Sequence, residues 1–304
     1  MTRIATSAAA QSALADLMRA QRSVYEAQQQ IATGKVGDNL RGVGHRAETL
    51  SAAYGAQLRA GAYEEAAKRT ANRLEVTDAA LGLLSESATE LRLAMTTTDG
   101  TYIMDQVREA FDSARNALST QYAGAYIFGG TRADADPMTA NSLADLVAAP
   151  AAGDVFQNSA RKNTVKLDDN LTVETGVLAS DVGTELMASF KRIAEFDAGV
   201  DGPFNGPLTA NQQAFIQAEM QNILSAFDRI NDYVGANGAM QNRVEGLVTS
   251  QQNKADYLDR LIGSIEDVDM AEAATRFQQA QTAVDVSART FATLSQVSLL
   301  PFLR

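Results

Sequence analysis

Between residues 216 and 234 the apolar side chains Ile216, Met220, Ile223, Phe227, Ile230 and Val234 follow one another at alternating steps of four and three. That spacing gathers the large side chains of the segment on one seam of a helix, and a seam of this kind is stable only against a second one. The same pattern recurs upstream. Leu74, Leu81, Ala88 and Met95 stand seven apart, with Thr77, Leu84 and Leu91 offset by three. Only 6% of the 304 residues are aromatic, none is Trp and five are Pro, so the apolar resource is Ala and Leu. Such a chain favours long helices with small-residue seams over a thick core. The expected fold is mainly α: a long antiparallel helical bundle or coiled coil built from both termini, with a small β-rich insertion domain.

Both ends carry stripes of their own. At the amino terminus Ile4, Ala8, Leu14, Leu17, Val24 and Ile31 recur near helical spacing, opposite a face of Gln, Arg, Ser and Glu. Turn chemistry at "TGKVGDNLRGVGH", with Gly34, Gly37, Asp38, Asn39, Gly42 and Gly44, ends that helix. A second helix is predicted from about Arg46 to Met95, a turn at "TTTDGT", and a third helix carrying Val107, Phe111, Ala114, Leu118 and Tyr122 antiparallel to it. At the carboxy terminus Phe277, Val284 and Phe291 stand seven apart, with Ala280, Ser287 and Leu294 offset by three.

Between the third helix and residue 209 the pattern changes. "NTVKLDDNLTVETGVLAS" alternates apolar and polar positions through Val165, Leu167, Leu171 and Val173 around an Asp-Asp-Asn turn, which predicts a β-hairpin. "MTANSLADLVAAPAAGD" reads as loop or a short helix. A helix from about Thr184 to Phe196 and the Gly/Pro-rich linker "DAGVDGPFNGPLT" follow. "GANG" at 235–238 predicts a kink or local unwinding, since each interior Gly costs about 1 kcal/mol relative to Ala. The domain expectation is terminal helices at 1–40 and 266–304, a central bundle at 41–125 and 209–265, and an insertion at 126–208.

A formal net charge of -11, with no run of Lys or Arg, argues against a nucleic-acid groove and against an anionic membrane surface. With no Cys and a single His, thiolate and two-His metal sites are excluded. No cofactor or metal site is expected, and nothing resembles a membrane span or a cleavable signal peptide.

The stripes at the two ends pose the functional question. Helices of about 30 residues, roughly 45 Å long, are marginal alone. Paired with each other they would still leave part of each stripe uncovered, which suggests association with copies of the chain or with related chains. The alternative is an intramolecular bundle that satisfies every stripe.

Four stretches make the choice more specific: "MTRIATSAAAQSALADLMRAQRSVYEAQQQIATGK", "YIFGGTRADADP", "GAMQNRVEGL", and "IEDVDMAEAATRFQQAQTAVDVSARTFATLSQVSLLPFLR". In this order they resemble the flagellin and hook-associated family of bacterial flagellar axial proteins. Thr33, Gly34 and Lys35 match the step that ends the family's first helix. Glu266, Asp267, Asp269 and Ala271 match the acidic step before its last, and Asp38 is the nearest counterpart of a Ser-Asp-Asp step in the first loop. Flagellins leave the third helix through a segment like Phe-Asn-Gly-Val. Members at the hook–filament junction have a Tyr-Leu/Ile-Phe-Gly-Gly-Thr corner, and this chain has Tyr126, Ile127, Phe128, Gly129, Gly130 and Thr131.

The resemblance implies a structural subunit of the flagellum, not an enzyme, exported through the flagellar type III apparatus without a cleaved signal. Its implied partners are copies of itself, a neighbouring hook-associated protein, flagellin and an export chaperone. The expected assembly contacts are Ile4, Leu14, Leu17, Val24, Ile31, Phe277, Val284, Phe291, Leu294 and Leu300. At the corner, Tyr126 and Phe128 are expected to cap the apolar end of the bundle, and Gly129 and Gly130 to permit positive φ.

Other motifs have simpler explanations. "GVGHRA" at 42–47 fits a dinucleotide fingerprint only formally, because no strand is predicted before it. His45 reads as a loop or cap residue, Asp168 and Asp169 as a hairpin turn, and Glu266, Asp267 and Asp269 as helix-terminal charge and capping. A filament-forming flagellin is the alternative within the family, and a carboxylate-based hydrolase in the insertion the alternative outside it.

Overall fold

A computed structural model describes residues 2–37 and 42–299, with side chains described for 8–37 and 42–294. Asp38, Asn39, Leu300 and the side chain of Ile4 lie outside the described residues. The chain divides into two compact units, Met1–Arg59 with Lys254–Arg304, and Ala60–Asn253.

The first unit holds α1 (Thr2–Thr33), α7 (Met270–Leu299), the start of α2 (Ala47–Ala94) and the end of α6 (Ala210–Glu266). Helix α7 starts where Asp269 accepts hydrogen bonds from the Ala271 and Glu272 N–H groups, at 2.8 and 3.2 Å, satisfying two donors of the first turn. The α2 and α6 segments of this unit share a small apolar cluster of Leu50, Ala53, Leu258, Ile262 and Ile265.

In the second unit the rest of α2 packs against α3 (Ile103–Leu118), α5 (Ala179–Asp197) and the first two-thirds of α6. The heptad residues Leu74, Thr77, Leu81, Leu84, Ala88, Leu91 and Met95 are all buried, and so are Val107, Phe111, Ala114 and Leu118 on α3. Each fully buried Leu, Val or Phe side chain contributes about 1.5–3 kcal/mol. Thr77 sits in this apolar seam because its hydroxyl donates to the Arg73 carbonyl at 2.9 Å. Glu219 on α6, only 2% exposed, is held by a two-bond contact from Arg192 on α5, at 2.7 and 2.9 Å.

The hairpin predicted from the Asp-Asp-Asn turn is present as β3 (Asn163–Asp168) and β4 (Leu171–Thr175), antiparallel, with Leu167 and Val173 buried against Ala67, Leu74 and Val244. A second hairpin joins β1 (Gln121–Tyr122) to β2 (Ala125–Tyr126) through Ala123 and Gly124, at φ 51° and 79°. Two consecutive positive φ values are the signature of the tight two-residue hairpin turn. The expected helix through Tyr122 therefore ends at Leu118, because "TQYAGAY" pairs with itself. The weakly patterned "SLADLVA" segment is α4 (Leu143–Ala148), opened by a reciprocal cap between Ser142 and Asp145. Lys191 closes its other end, donating to the Leu146, Val147 and Ala149 carbonyls.

The kink expected at "GANG" is absent, and α6 runs unbroken from Ala210 to Glu266. Asn237 and Gln241 both donate to the Leu74 carbonyl at 3.0 Å, tying this stretch of α6 to α2, and tertiary packing overrides the glycine propensity. Nothing lies within 4 Å of a Cβ added at Gly235 or Gly238. Gly235→Ala and Gly238→Ala should each raise stability by about 0.5–1 kcal/mol in chemical denaturation, where a helix broken at this point would gain nothing.

Candidate assembly interface

Helices α1 and α7 run antiparallel and meet along one seam. On α1 it passes through Ala10, Ala13, Leu17, Ala20, Val24, Ala27 and Ile31, and on α7 through Ala273, Phe277, Ala280, Val284, Ser287, Phe291 and Leu294. Every heptad puts a small residue at one of its two seam positions on most turns, so the backbones approach closely. Ala13, Ala20, Ala27, Ala273 and Ala280 are at most 9% exposed, while the larger seam residues are only half-buried. A single partner helix covers the alanines but leaves the flanks of Leu17, Val24, Ile31, Phe277, Val284, Phe291 and Leu294 in reach of solvent. Ala8, assigned to the stripe from spacing, is exposed, and the seam uses Ala10 instead.

Leu14 does not belong to this seam. It is 38% exposed on a different face of α1, with Met18 at 60% and Tyr25 at 65%. Steps of four and seven place these three within one narrow stripe. Met18 and Tyr25 escaped the sequence analysis because the heptad beside them is stronger; the signal was a second, weaker set of apolar residues out of phase with the first. Of the twelve large apolar residues left exposed among the described residues, eight lie in the first unit, which is little more than a third of the chain. The distribution marks this unit as the one with unsatisfied apolar surface.

A polar clasp closes the unit. Gly34, at φ 71°, turns the chain out of α1, and its carbonyl accepts from the Val268 N–H at 2.9 Å while the Val36 N–H donates to the Glu266 carbonyl at 2.7 Å. The Glu266 carboxylate takes Lys35 Nζ at 2.8 Å and the Tyr54 hydroxyl at 2.7 Å. Its hydrogen bonds from Lys35 and then Tyr54 hold the Glu266 carboxyl below the ordinary glutamate value. The hydrogen bond to Glu266 raises both Lys35 and Tyr54 above theirs. Glu266 thus does more than charge a helix terminus; its partners, 231 and 212 residues away, gave no signal in sequence.

The corner after the third helix lies in the second unit. Ile127 and Phe128 are fully buried and Tyr126 half-buried. The Phe128 carbonyl accepts from Ala179, the Gly129 carbonyl from Ser159, and Thr131 N–H donates to Arg161, so the corner ties the start of α5 to the segment before β3. Gly130 has φ 63°, as expected. Gly129 does not; it is glycine for space, since a Cβ there would collide with the Arg132 backbone. His45 is exposed in a short 3-10 turn, Gly44–Arg46, and Asp169 in the β3–β4 turn accepts from the Tyr63 hydroxyl at 3.0 Å.

Long helices, a terminal pair joined through small residues, and exposed large apolar residues gathered in the first unit characterise this fold. Residues 220–303 match the family described as the bacterial flagellin C-terminal helical region. Among solved structures the chain is similar to a protein from Vibrio parahaemolyticus described as a flagellar hook-associated protein, at TM-score 0.59 and 14% identity over 73% of this chain and 97% of that one. It is also similar to FlgL from Bacillus cereus, at TM-score 0.53 and 15% identity over 70% of this chain and 98% of that one. At these identities the structural likeness shows a shared fold. No match was found among curated protein sequences. The sequence match to the flagellin carboxy-terminal helical region is confined to residues 220–303, and the fold that carries it is shared with these flagellar proteins.

The clasp has a pH dependence with a defined sign. A carboxyl held below its ordinary value stabilises the fold above that value and stops doing so as pH falls through the lowered one. Protection of the Val36 and Val268 amides should therefore persist at neutral pH and fall at pH values below the ordinary 4.5. Raised values for Lys35 and Tyr54 keep both groups protonated at neutral pH, and their contribution is lost only above about pH 10. Glu266→Gln should abolish the acid transition of these two amides in hydrogen exchange.

Proposed function

We propose that the chain is the hook–filament junction protein, hook-associated protein 3, which joins the hook-associated ring to the flagellin filament. The Tyr126-Ile127-Phe128-Gly129-Gly130-Thr131 corner carries this reading, supported by the likeness to a hook-associated protein over nearly its whole length. In this role the paired termini pack against the termini of neighbouring subunits in an inner tube, the central helices form the next shell, and the insertion faces outward. Half-buried Leu17, Val24, Ile31, Phe277, Val284, Phe291 and Leu294, together with exposed Leu14, are the contacts that neighbours complete. The partners are copies of the chain, an adjoining hook-associated protein and flagellin. Export to the cell exterior proceeds through the flagellar type III apparatus with an uncleaved signal and a dedicated chaperone.

A filament-forming flagellin is the second reading, favoured by the match of residues 220–303 to the flagellin carboxy-terminal region. Deleting the gene separates the two. Complete hooks with filament protein released into the medium mark the junction protein, whereas a missing filament with no secreted monomer marks the flagellin.

Leu14→Asp and Phe291→Asp should block filament attachment while the second unit keeps its native circular dichroism and unfolding transition. An attachment loss of roughly tenfold corresponds to about 1.4 kcal/mol at each interface. Normal attachment by both variants would remove the terminal helices from the interface.

A further inference from the structure

The second unit presents a knob and a socket at different levels along α2. The knob is the loop joining α5 to α6, with Val200 fully exposed at its tip. One exposed valine alone has no meaning, but this one is held out on a braced loop. Asp197 accepts from the Phe204 N–H at 2.8 Å, and buried Gln212 donates to the Asp201 and Pro203 carbonyls at 3.0 and 3.1 Å. Phe196 stacks between Phe204 and Phe215, with ring centroids 5.4 and 3.9 Å away. A tip fixed in advance loses little entropy on binding.

The socket is a cleft of about 370 Å³ beside β4. Leu74, Val177 and Met240 give it apolar walls, and Lys162 and Arg243 give it two cations against the single carboxylate of Glu174. Among the described residues neither Lys162 nor Arg243 makes an ion pair. The Gly100 N–H donates to the Gly206 carbonyl, so the loop sits beyond the end of α2. Leu74 lies twenty residues before that end, about 30 Å away along the helix. The loop cannot reach the cleft of its own molecule.

We propose that the loop of one copy docks in the cleft of the next, Val200 entering against Leu74, Val177 and Met240 while Asp201 faces Lys162 and Arg243. The charges are complementary in a chain that is otherwise strongly acidic. Because knob and socket are different surfaces, the contact is head-to-tail and extends an assembly instead of closing a dimer. A single loop buries too little to hold two copies alone; it acts with the terminal helices through repetition. The inference rests on the reading above that copies of the chain touch one another, and not on whether they form a ring or a filament.

The chain has no cysteine, so introduced thiols report without background. Full-length Val200→Cys mixed with full-length Met240→Cys under mild oxidation should give a disulfide-linked pair several-fold more abundant than Leu83→Cys mixed with Met240→Cys. Each variant alone should give little, and adding Asp201→Lys to Val200→Cys should lower the yield several-fold. A yield no higher than that of the Leu83 mixture overturns the docking. Light scattering on that same sample then separates the cases: multimers mean that copies associate through other surfaces, and monomers alone mean that self-association has failed as well.

Discussion

Everything distinctive about the molecule follows from the alanines between α1 and α7. Ala13, Ala20 and Ala27 on α1 and Ala273 and Ala280 on α7 are buried in a seam that hides small side chains and leaves the large ones beside them half-buried. A buried alanine removes far less apolar area from water than a leucine, at about 0.8 kcal/mol per methylene-sized increment. Two helices of this length held mainly by alanine are close to the limit of independent stability. The larger residues that alternate with the alanines are available to add the missing area, but one partner covers them only halfway.

Within the first unit, polar contacts supplement this weak seam at the end where α1 stops and α7 begins. Backbone hydrogen bonds join Gly34 and Val36 to Val268 and Glu266, and the Glu266 carboxylate fixes Lys35 and Tyr54 around the joint. These contacts are polar and solvent-facing, so they set direction more than stability. The second unit is built differently, with Phe111, Phe128, Phe190 and a run of leucines fully buried. The second unit thus has a large apolar core, whereas the first leaves flanks of its seam residues uncovered.

The heptads of α2 and α6 and the larger seam residues Leu17, Val24, Ile31, Phe277, Val284, Phe291 and Leu294 were legible because each repeats over many turns. Ala8 and Leu14, by contrast, fall off the seam, and the buried Ala13, Ala20 and Ala27 were not singled out. The β3–β4 hairpin was legible from strict alternation around Asp168, Asp169 and Asn170. What escaped was local or long-range. Ala123 and Gly124 end the third helix by forming a turn two residues long, too short to register against a helical pattern that continued through Tyr122. Gly235 and Gly238 suggested a break that Asn237 and Gln241 prevent through bonds to a residue more than 160 positions away. The exposed apolar residues Met18 and Tyr25 were masked by the stronger seam beside them, and the Lys35–Glu266–Tyr54 clasp exists only once residues distant in sequence are brought together.

The central claim is that the terminal pair is incomplete in one molecule and completed by its neighbours. Hydrogen exchange of the α1 amides from residue 8 to residue 31, compared between dilute monomer and assembled protein, tests it most directly. Weak protection in the monomer that rises steeply on assembly, with the second unit equally protected in both, is the result this account predicts. Full and equal protection of α1 in the dilute monomer would contradict it, since a seam already complete has nothing left for a neighbour to supply.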